Sequence, residues 1–357
     1  MTDEERNKIA PAASGTASTP PRSRQDEFDV IVVGAGLAGC TAARLFAVEG
    51  LRVGLLEAHR GMRTFKQLCT HCIQPSAYPI LRRLGLDQLI ERAGGVRNGV
   101  DIWTRYGWSG DMPPLCDDGQ AAFGYNIQRR TLDPILRQLA ADTPGVTFLA
   151  GYTVRKLAQQ DGGVELEVEP VGIIKADLLV AADGRNSTIA KLADVKVFSS
   201  ENCRFAAFRS YRNVPLRRGT CSQMWLRGPE VGYVFPNDDG VTVIAYLATK
   251  DSLDEFRVDA NRALERRMAL FPDCPVLAGA EPMGDALLVK DYPNLWRQPI
   301  AGNIAFIGDA LMSIDPLWGV GCGFAFQAAE WLVDELAPGA QARRTARKRA
   351  GSSCKES

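Results

Sequence analysis

Residues 29–39 read DVIVVGAGLAG, and this stretch decides the fold. A run rich in β-branched residues ends at Gly34 and the spacing from Leu37 onward is helical, which predicts a strand, a tight turn and a helix. Gly34 would permit the turn, Gly36 would let the backbone approach a pyrophosphate, and Gly39 would let the helix pack closely on the strand. The first N–H groups of such a helix are free to bind phosphate. The pattern therefore predicts a dinucleotide-binding unit.

The second strand of this unit runs from Arg52 to Glu57. The Glu57 carboxylate would accept hydrogen bonds from the hydroxyls of an adenosine ribose, and it disfavours a ribose that carries a 2′-phosphate. This unit alone does not distinguish NAD from FAD. No second G-x-G-x-x-G occurs in the sequence, which disfavours a separate domain for the nicotinamide cofactor.

Two later segments help to distinguish FAD from NAD. Residues 175–187 read KADLLVAADGRNS, an apolar strand that ends at Asp183. Residues 303–323 read NIAFIGDALMSIDPLWGVGCG, a strand that ends at Gly308-Asp309 and is followed by a turn and then a helix.

With DVIVVGAGLAG, these segments resemble, in chain order, the single-component FAD monooxygenases of the para-hydroxybenzoate hydroxylase fold. Relatives of that family include the geranylgeranyl reductases and the flavin-dependent halogenases. The resemblance implies that Gly34, Gly36 and Gly39 hold the ADP part of FAD. It also implies that Asp183 lies near the pyrophosphate and the path of the pyridine nucleotide, and that Asp309 contacts the ribityl chain.

The resemblance extends from residue 28 to about residue 336 and implies further cofactor contacts. Pro316, Gly319 and Gly321 follow Gly308-Asp309 with the spacing of the family and lead into a helix whose free N–H groups would stabilise reduced flavin. Arg129 resembles the arginine that contacts the flavin phosphates or the ribityl chain, with Arg130 and a pair of surface arginines as alternatives.

The order of elements predicts an α/β fold, with a Rossmann-like FAD-binding domain built on a parallel sheet and a smaller antiparallel-sheet substrate domain. Residues 205–247 alternate strand-like segments without helices between them, which is typical of an antiparallel sheet. A single helix is expected over 253–270, and the last helix is expected to end near Leu336. The predicted divisions are a disordered leader (1–27), the first part of the FAD-binding domain (28–200), the substrate domain (201–283), the second part of the FAD-binding domain (284–337) and a basic polar tail (338–357).

Composition excludes several classes of function. Lys plus Arg and Asp plus Glu number 42 each, so no net charge favours nucleic acid or an anionic membrane surface. No apolar run reaches the ~18 residues that a membrane-spanning helix needs, and the N-terminus lacks an apolar signal segment. The expected compartment is the cytoplasm, and the expected partners are a small-molecule substrate and O2.

Nine scattered cysteines do not form a disulfide framework. Cys69 and Cys72 form a C-x-x-C pair with His71 between them, but no second pair of ligands stands at zinc spacing, so no metal site is expected. Both thiols are expected to be dispensable for folding and for FAD content. His71 is either a proton carrier near the flavin or a loop histidine without chemistry, and no catalytic base is identified.

The sequence thus predicts an FAD-dependent monooxygenase that uses NAD(P)H as a transient reductant and hydroxylates a small organic substrate, aromatic or polyketide-like. An ene reductase similar to the geranylgeranyl reductases is one alternative. Asp315-Pro316 is more like that group, and Leu311 stands where hydroxylases commonly have histidine. A flavin-dependent halogenase is a second alternative, although the W-x-W-x-I-P segment of that group is absent. A truncated flavin-binding protein without turnover is the third, because family members usually continue with a further helical segment.

Overall fold

The structure, a computed structural model, describes residues 27–109 and 123–353, with side chains up to residue 345. Of the predicted leader only residue 27 lies within this range. The strands are β1 (Glu27–Val33), β2 (Val53–Glu57), β3 (Cys72–Ile73), β4 (Val96–Asn98), β5 (Val100–Thr104), β6 (Gly107–Ser109), β7 (Gly124–Asn126), β8 (Val146–Ala150), β9 (Thr153–Gln160), β10 (Gly163–Glu169), β11 (Gly172–Ala181), β12 (Val197–Ser200), β13 (Arg204–Arg212), β14 (Ser222–Arg227), β15 (Glu230–Pro236), β16 (Val241–Thr249), β17 (Glu281–Val289), β18 (Asn294–Arg297), β19 (Ile300–Ala301), β20 (Ile304–Phe306) and β21 (Met312–Ser313). The α-helices are α1 (Leu37–Val48), α2 (Tyr78–Leu84), α3 (Leu86–Arg92), α4 (Arg129–Ala141), α5 (Thr188–Leu192), α6 (Leu253–Val258), α7 (Ala260–Met268) and α8 (Gly321–Ser353).

The first sheet has the strand order β19-β20-β11-β1-β2-β8, and the β9–β10 hairpin is attached to β11. The pairings β20–β11, β11–β1, β1–β2 and β2–β8 are parallel. Alternate residues of β1 point to opposite faces: Val30 and Val32 pack with α1, α4 and α8, whereas Ile31 packs with the β9–β10 hairpin. This confirms the predicted Rossmann-like sheet with both faces covered.

The second large sheet has the order β17-β13-β16-β15-β14-β5-β6. It is antiparallel as predicted, except that β14 pairs with β5 in parallel. Strands β5 and β6 come from the part of the chain assigned above to the FAD-binding domain, and β17 crosses the predicted boundary at residue 283. One face of the sheet is covered by α6 and α7, and the other carries a separate apolar cluster.

Two helix predictions differ from the structure. The helix expected over 253–270 is two helices, because Asp259 is extended (φ −153°, ψ 94°) and its carboxylate caps α7 by accepting from the Arg262 N–H at 3.0 Å. The last helix does not end near Leu336. It continues through Pro338 to Ser353, so most of the predicted polar tail is helical. Buried Ala337 and Ala340 pack in the same core cluster as α1 and extend the buried side of α8 beyond the proline.

Besides the two large sheets, the described residues form two three-stranded sheets, with the strand orders β12-β18-β21 and β3-β7-β4. Within the described residues, no helix is both long enough and apolar enough to cross a membrane.

Candidate active site

The carboxyl ends of the parallel strands and the second sheet enclose a cavity of about 1100 Å³. Three predicted motifs meet there because β1, β11 and β20 are parallel neighbours whose last residues stand side by side. Of the predicted site residues, all but Gly39 line this cavity: Gly34, Gly36, Glu57, Arg129, Asp183, Gly308, Asp309, Pro316, Gly319 and Gly321.

The glycines of the first turn have different roles. Gly34 has φ +103°, and a Cβ there would lie 2.4 Å from the Ala182 carbonyl oxygen. A Cβ on Gly39 would lie 1.8 Å from the Gly34 carbonyl oxygen, so this glycine allows α1 to pack against the turn. A Cβ on Gly36 would meet nothing within 4 Å. Gly34 and Gly39 are therefore required by the protein fold, and Gly36 leaves open space in the cavity wall.

Glu57 is fixed beside this turn. One carboxylate oxygen accepts from the Ala35 N–H and the other from the His59 N–H, each at 2.9 Å. Both bonds orient the carboxylate at the end of β2, and each oxygen retains a lone pair for a further donor.

Asp183 has a structural role as well as a place in the cavity wall. Its Oδ2 accepts from the backbone N–H groups of Thr188 at 2.6 Å and Ile189 at 3.0 Å, at the beginning of α5. Its Oδ1 is buried and has no hydrogen-bond partner among the described residues. A buried carboxylate oxygen of this kind requires a donor.

Arg129, not Arg130, is the arginine of the cavity. Arg129 is buried, and its guanidinium donates to both carboxylate oxygens of Asp133, one bond being 3.0 Å long. Burial alone would lower the pKa of Arg129, but nearby Cys322, Asp133 and Cys69 together raise that pKa. Arg130 is exposed and forms an ion pair with Asp239 at 3.5 Å. The alternative of two surface arginines is therefore wrong for Arg129.

Arg137 is a cavity residue that the sequence analysis missed. It is buried, and its guanidinium donates to the carbonyl oxygens of Ala35 at 3.1 Å, Thr64 at 2.9 Å and Met62. One cation thus ties the glycine turn to loop 58–71. The sequence pattern could have predicted Arg137, because residues 129, 133 and 137 are charged, recur at helical spacing and share one face of α4.

Asp309 forms an ion pair with Lys66 of loop 58–71, with 2.7 Å between Oδ2 and Nζ. Burial would lower the pKa of Lys66, but the Asp309 carboxylate outweighs this and raises that pKa. The backbone N–H of Lys66 also donates to Asp133 at 3.0 Å, which anchors the loop to α4.

The turn before α8 closes one end of the cavity. Asp315 caps it by accepting from the Leu317 N–H at 2.9 Å, and it faces Arg204 of β13 at 3.6 Å. Gly319 has φ +61°, a left-handed conformation that favours glycine, and α8 begins at Gly321. The N-terminus of this long helix therefore borders the cavity.

The two thiols of the C-x-x-C pair have different neighbours. The Sγ of Cys69 lies 3.7 Å from the Sγ of Cys322 and accepts from the His71 N–H at 3.2 Å. Cys72 is buried on β3, where its sulfur accepts from Asn98 at 3.4 Å and burial raises its pKa to about 12. Within the described ranges, no group of three or more His, Cys, Asp or Glu residues is arranged to hold a metal ion.

His71 does not line the large cavity. Its Nδ1 accepts from the Arg129 N–H at 3.2 Å, and its backbone has φ +65°. The residue borders a smaller cavity of about 90 Å³ together with Arg209 and Asp285. A role for His71 in proton transfer at the flavin stays a prediction, and it would require a path between the two cavities.

The wall opposite the glycine turn is apolar. It belongs to the face of the second sheet opposite α6 and α7 and includes Phe208, Leu247 and Val289. Tyr233 of the same apolar cluster is buried, and its hydroxyl has no hydrogen-bond partner among the described residues. The cavity thus has a polar side built from backbone and charged groups and an apolar side built from a sheet.

Residues 27–349 match the protein family described as FAD binding domain. The chain belongs to this family. It binds FAD and is an oxidoreductase. The digeranylgeranylglycerophospholipid reductase 1 of Methanothermobacter thermautotrophicus is 24% identical over 310 residues, which cover 83% of this chain and 73% of the reductase. The squalene monooxygenase of Rattus norvegicus is 27% identical over 186 residues, which cover 50% of this chain and 32% of that enzyme.

A solved structure of the flavin-dependent brominase Bmp2 superposes on this FAD-binding-domain protein with a TM-score of 0.74. The sequences are 18% identical, and the match covers 88% of this chain and 80% of the brominase. At that identity the similarity shows the fold alone. The two sequence relatives are a reductase and a monooxygenase, so family membership does not choose between these reactions.

Proposed function

We propose that this FAD-binding-domain protein is an NAD(P)H-dependent monooxygenase that inserts one oxygen atom of O2 into a largely apolar organic substrate. The main observation in support of this proposal is the cavity of about 1100 Å³, which has a polar side and an apolar side. Its polar side has the donors and acceptors that a dinucleotide needs, and its apolar side offers Phe208, Leu247 and Val289 to a substrate. A cavity of this kind brings a flavin and an apolar compound together away from water.

The cofactor contacts follow from the cavity wall. Gly36 and the first N–H groups of α1 would bind the pyrophosphate, and Glu57 would accept from the adenosine ribose. Asp309 would accept from the ribityl hydroxyls once its bond to Lys66 is exchanged. The remaining proposed contacts to FAD are Arg129, Asp183, Gly308, Pro316, Gly319 and Gly321. Gly34 and Gly39 would act indirectly, by shaping the turn that brings α1 to the cofactor.

Bound FAD would supply the redox chemistry, accepting a hydride from the nicotinamide and passing electrons to O2. The protein would hold the cofactor in one position, exclude water and place the substrate carbon. The N-terminus of α8, which begins at Gly321, would stabilise negative charge on the pyrimidine side of the reduced ring. Asp183 has one buried oxygen without a partner and is suited to accept a hydrogen bond from the cofactor or the nicotinamide.

Reduction of a carbon–carbon double bond is the second candidate. It is favoured by the match to the archaeal reductase, which covers 83% of this chain. The same apolar wall would accept a prenyl chain. Halogenation has less support, because the W-x-W-x-I-P segment of the flavin-dependent halogenases is absent from the sequence.

Substrate-stimulated NAD(P)H oxidation tests the proposed function. The holoprotein is mixed with NADH or NADPH and a library of aromatic, polyketide and prenyl compounds, with and without O2. A monooxygenase consumes O2 in proportion to substrate. A reductase oxidises many equivalents of NAD(P)H per FAD with substrate in the absence of O2, whereas a monooxygenase stops after its FAD is reduced once. Repeated anaerobic turnover would therefore overturn the proposal. Retained FAD with no response to any compound would favour a binding protein without turnover.

A further inference from the structure

Two thiols that are distant in the sequence meet at the edge of the cavity. Cys69 belongs to loop 58–71, and Cys322 lies in the first turn of α8. Their sulfur atoms are 3.7 Å apart, and both residues line the cavity. At this distance the two free thiols form a hydrogen bond, and a small movement of the loop would bring the sulfurs to bonding distance.

The surroundings make one member of this pair nucleophilic. The Cys322 thiol donates to the Cys69 sulfur, which outweighs burial and, with the His71 N–H, holds the pKa of Cys69 well below its usual range. The same hydrogen bond and burial hold the pKa of Cys322 well above its usual range. The lowered pKa favours the thiolate form of Cys69, and the raised pKa favours the protonated form of Cys322. A thiolate next to a second thiol is the arrangement of a redox-responsive cysteine.

We propose that Cys69 and Cys322 are a reversible redox pair, which hydrogen peroxide oxidises to a disulfide joining loop 58–71 to the first turn of α8. The proposal rests on the sulfur geometry of this chain and holds whichever reaction the enzyme catalyses.

The chemistry balances with one peroxide. The Cys69 thiolate attacks one oxygen of hydrogen peroxide, the O–O bond breaks, and the products are a sulfenic acid and hydroxide, which takes up a proton to become water. The Cys322 sulfur then attacks the sulfenic sulfur, the S–S bond forms, and a second water leaves with the Cys322 proton. Two thiols and one peroxide give one disulfide and two waters. An added dithiol reverses the change by thiol–disulfide exchange.

The expected consequence is slower exchange of the cofactor. Loop 58–71 and the N-terminus of α8 both line the cavity, and Lys66 reaches from the loop to Asp309. A covalent bond between Cys69 and Cys322 prevents these two segments from separating. FAD release should therefore be several-fold slower from the oxidised protein than from the reduced protein.

Peptide mass spectrometry of the peroxide-treated holoprotein tests the pair. The wild type should lose two hydrogens and yield a cross-linked peptide that contains Cys69 and Cys322, and dithiothreitol should reverse both changes. C69S and C322S should yield no such peptide. C72S is the matched control, because Cys72 lies three residues from Cys69 but is bonded to Asn98, and this variant should behave as the wild type.

The rate of FAD release, followed by the rise of flavin fluorescence after dilution, tests the consequence. Peroxide should slow release from the wild type and C72S and leave release from C322S unchanged. A Cys69–Cys72 cross-link, irreversible oxidation of Cys69 alone, or no oxidation would overturn the redox pair. A Cys69–Cys322 cross-link with unchanged FAD release would overturn the effect on the cofactor. FAD content before treatment is measured separately, so loss of the FAD site would be recognised as a different failure.

Discussion

The Lys66 ammonium lies 2.7 Å from the Asp309 carboxylate and joins loop 58–71 to the end of the β20 strand. The carboxylate proposed to hold the ribityl chain therefore already has a cationic partner. Lys66 is 44% exposed on its side chain, so the ion pair itself contributes only about 0–1 kcal/mol to stability. Such a pair can exchange for hydrogen bonds to a cofactor at little cost.

Asp309→Ala should weaken FAD binding far more than Asp315→Ala. The first change removes the proposed ribityl acceptor, and loss of a hydrogen bond to a buried partner costs about 1–3 kcal/mol, or roughly fivefold to 150-fold in Kd. The second removes the cap of the turn at Leu317, which costs stability of about 1 kcal/mol. Fluorescence titration of the two apoproteins with FAD measures both constants. Equal dissociation constants would refute the role of Asp309.

Gly36→Ala and Gly39→Ala should separate cofactor binding from folding. A methyl group at position 36 meets open space in the protein, so the apoprotein should keep its Tm while FAD binding weakens. A methyl group at position 39 would meet the Gly34 carbonyl oxygen at 1.8 Å, so the apoprotein itself should be destabilised. Thermal unfolding with and without FAD distinguishes the two. Normal FAD affinity in Gly36→Ala would contradict the proposed approach of the pyrophosphate.

Arg137→Ala should lower both stability and FAD affinity. The change leaves the carbonyl oxygens of Ala35, Met62 and Thr64 without their donor. Ala35 is buried, and a buried group left unpaired costs about 1–3 kcal/mol. Arg44→Ala is the control, because that guanidinium donates to Thr143 away from the cavity. Denaturant unfolding and FAD titration are the two measurements. If the two variants lose FAD affinity equally, Arg137 has no special role at the glycine turn.

The sequence predicted the parts of this site that depend on local pattern. The strand ends at Gly34, Asp183 and Gly308-Asp309 meet because parallel strands end at one edge of a sheet, and this follows from strand order alone. Arg137 could also have been predicted, because its helical spacing from Arg129 places both residues on one face of α4.

The features that the sequence did not predict depend on contacts between residues that are far apart in the chain. The neighbour of Cys69 is Cys322, 253 residues away, although Cys72 is nearer in sequence. The parallel pairing of β5 with β14 has no local signal either. The continuation of α8 through Pro338 contradicts the usual effect of proline, and Ala337 and Ala340 pack this part of the helix against the core.

Oxygen insertion is the central proposal, and isotope-labelled dioxygen tests it most directly. The holoprotein is incubated with NAD(P)H, labelled O2 and a substrate that stimulates NAD(P)H oxidation, and the product is analysed by mass spectrometry. A monooxygenase gives a product that has gained one labelled oxygen atom. A product that has gained two hydrogens and no label would contradict the account and establish the reductase, and a halide-dependent product without label would establish the halogenase.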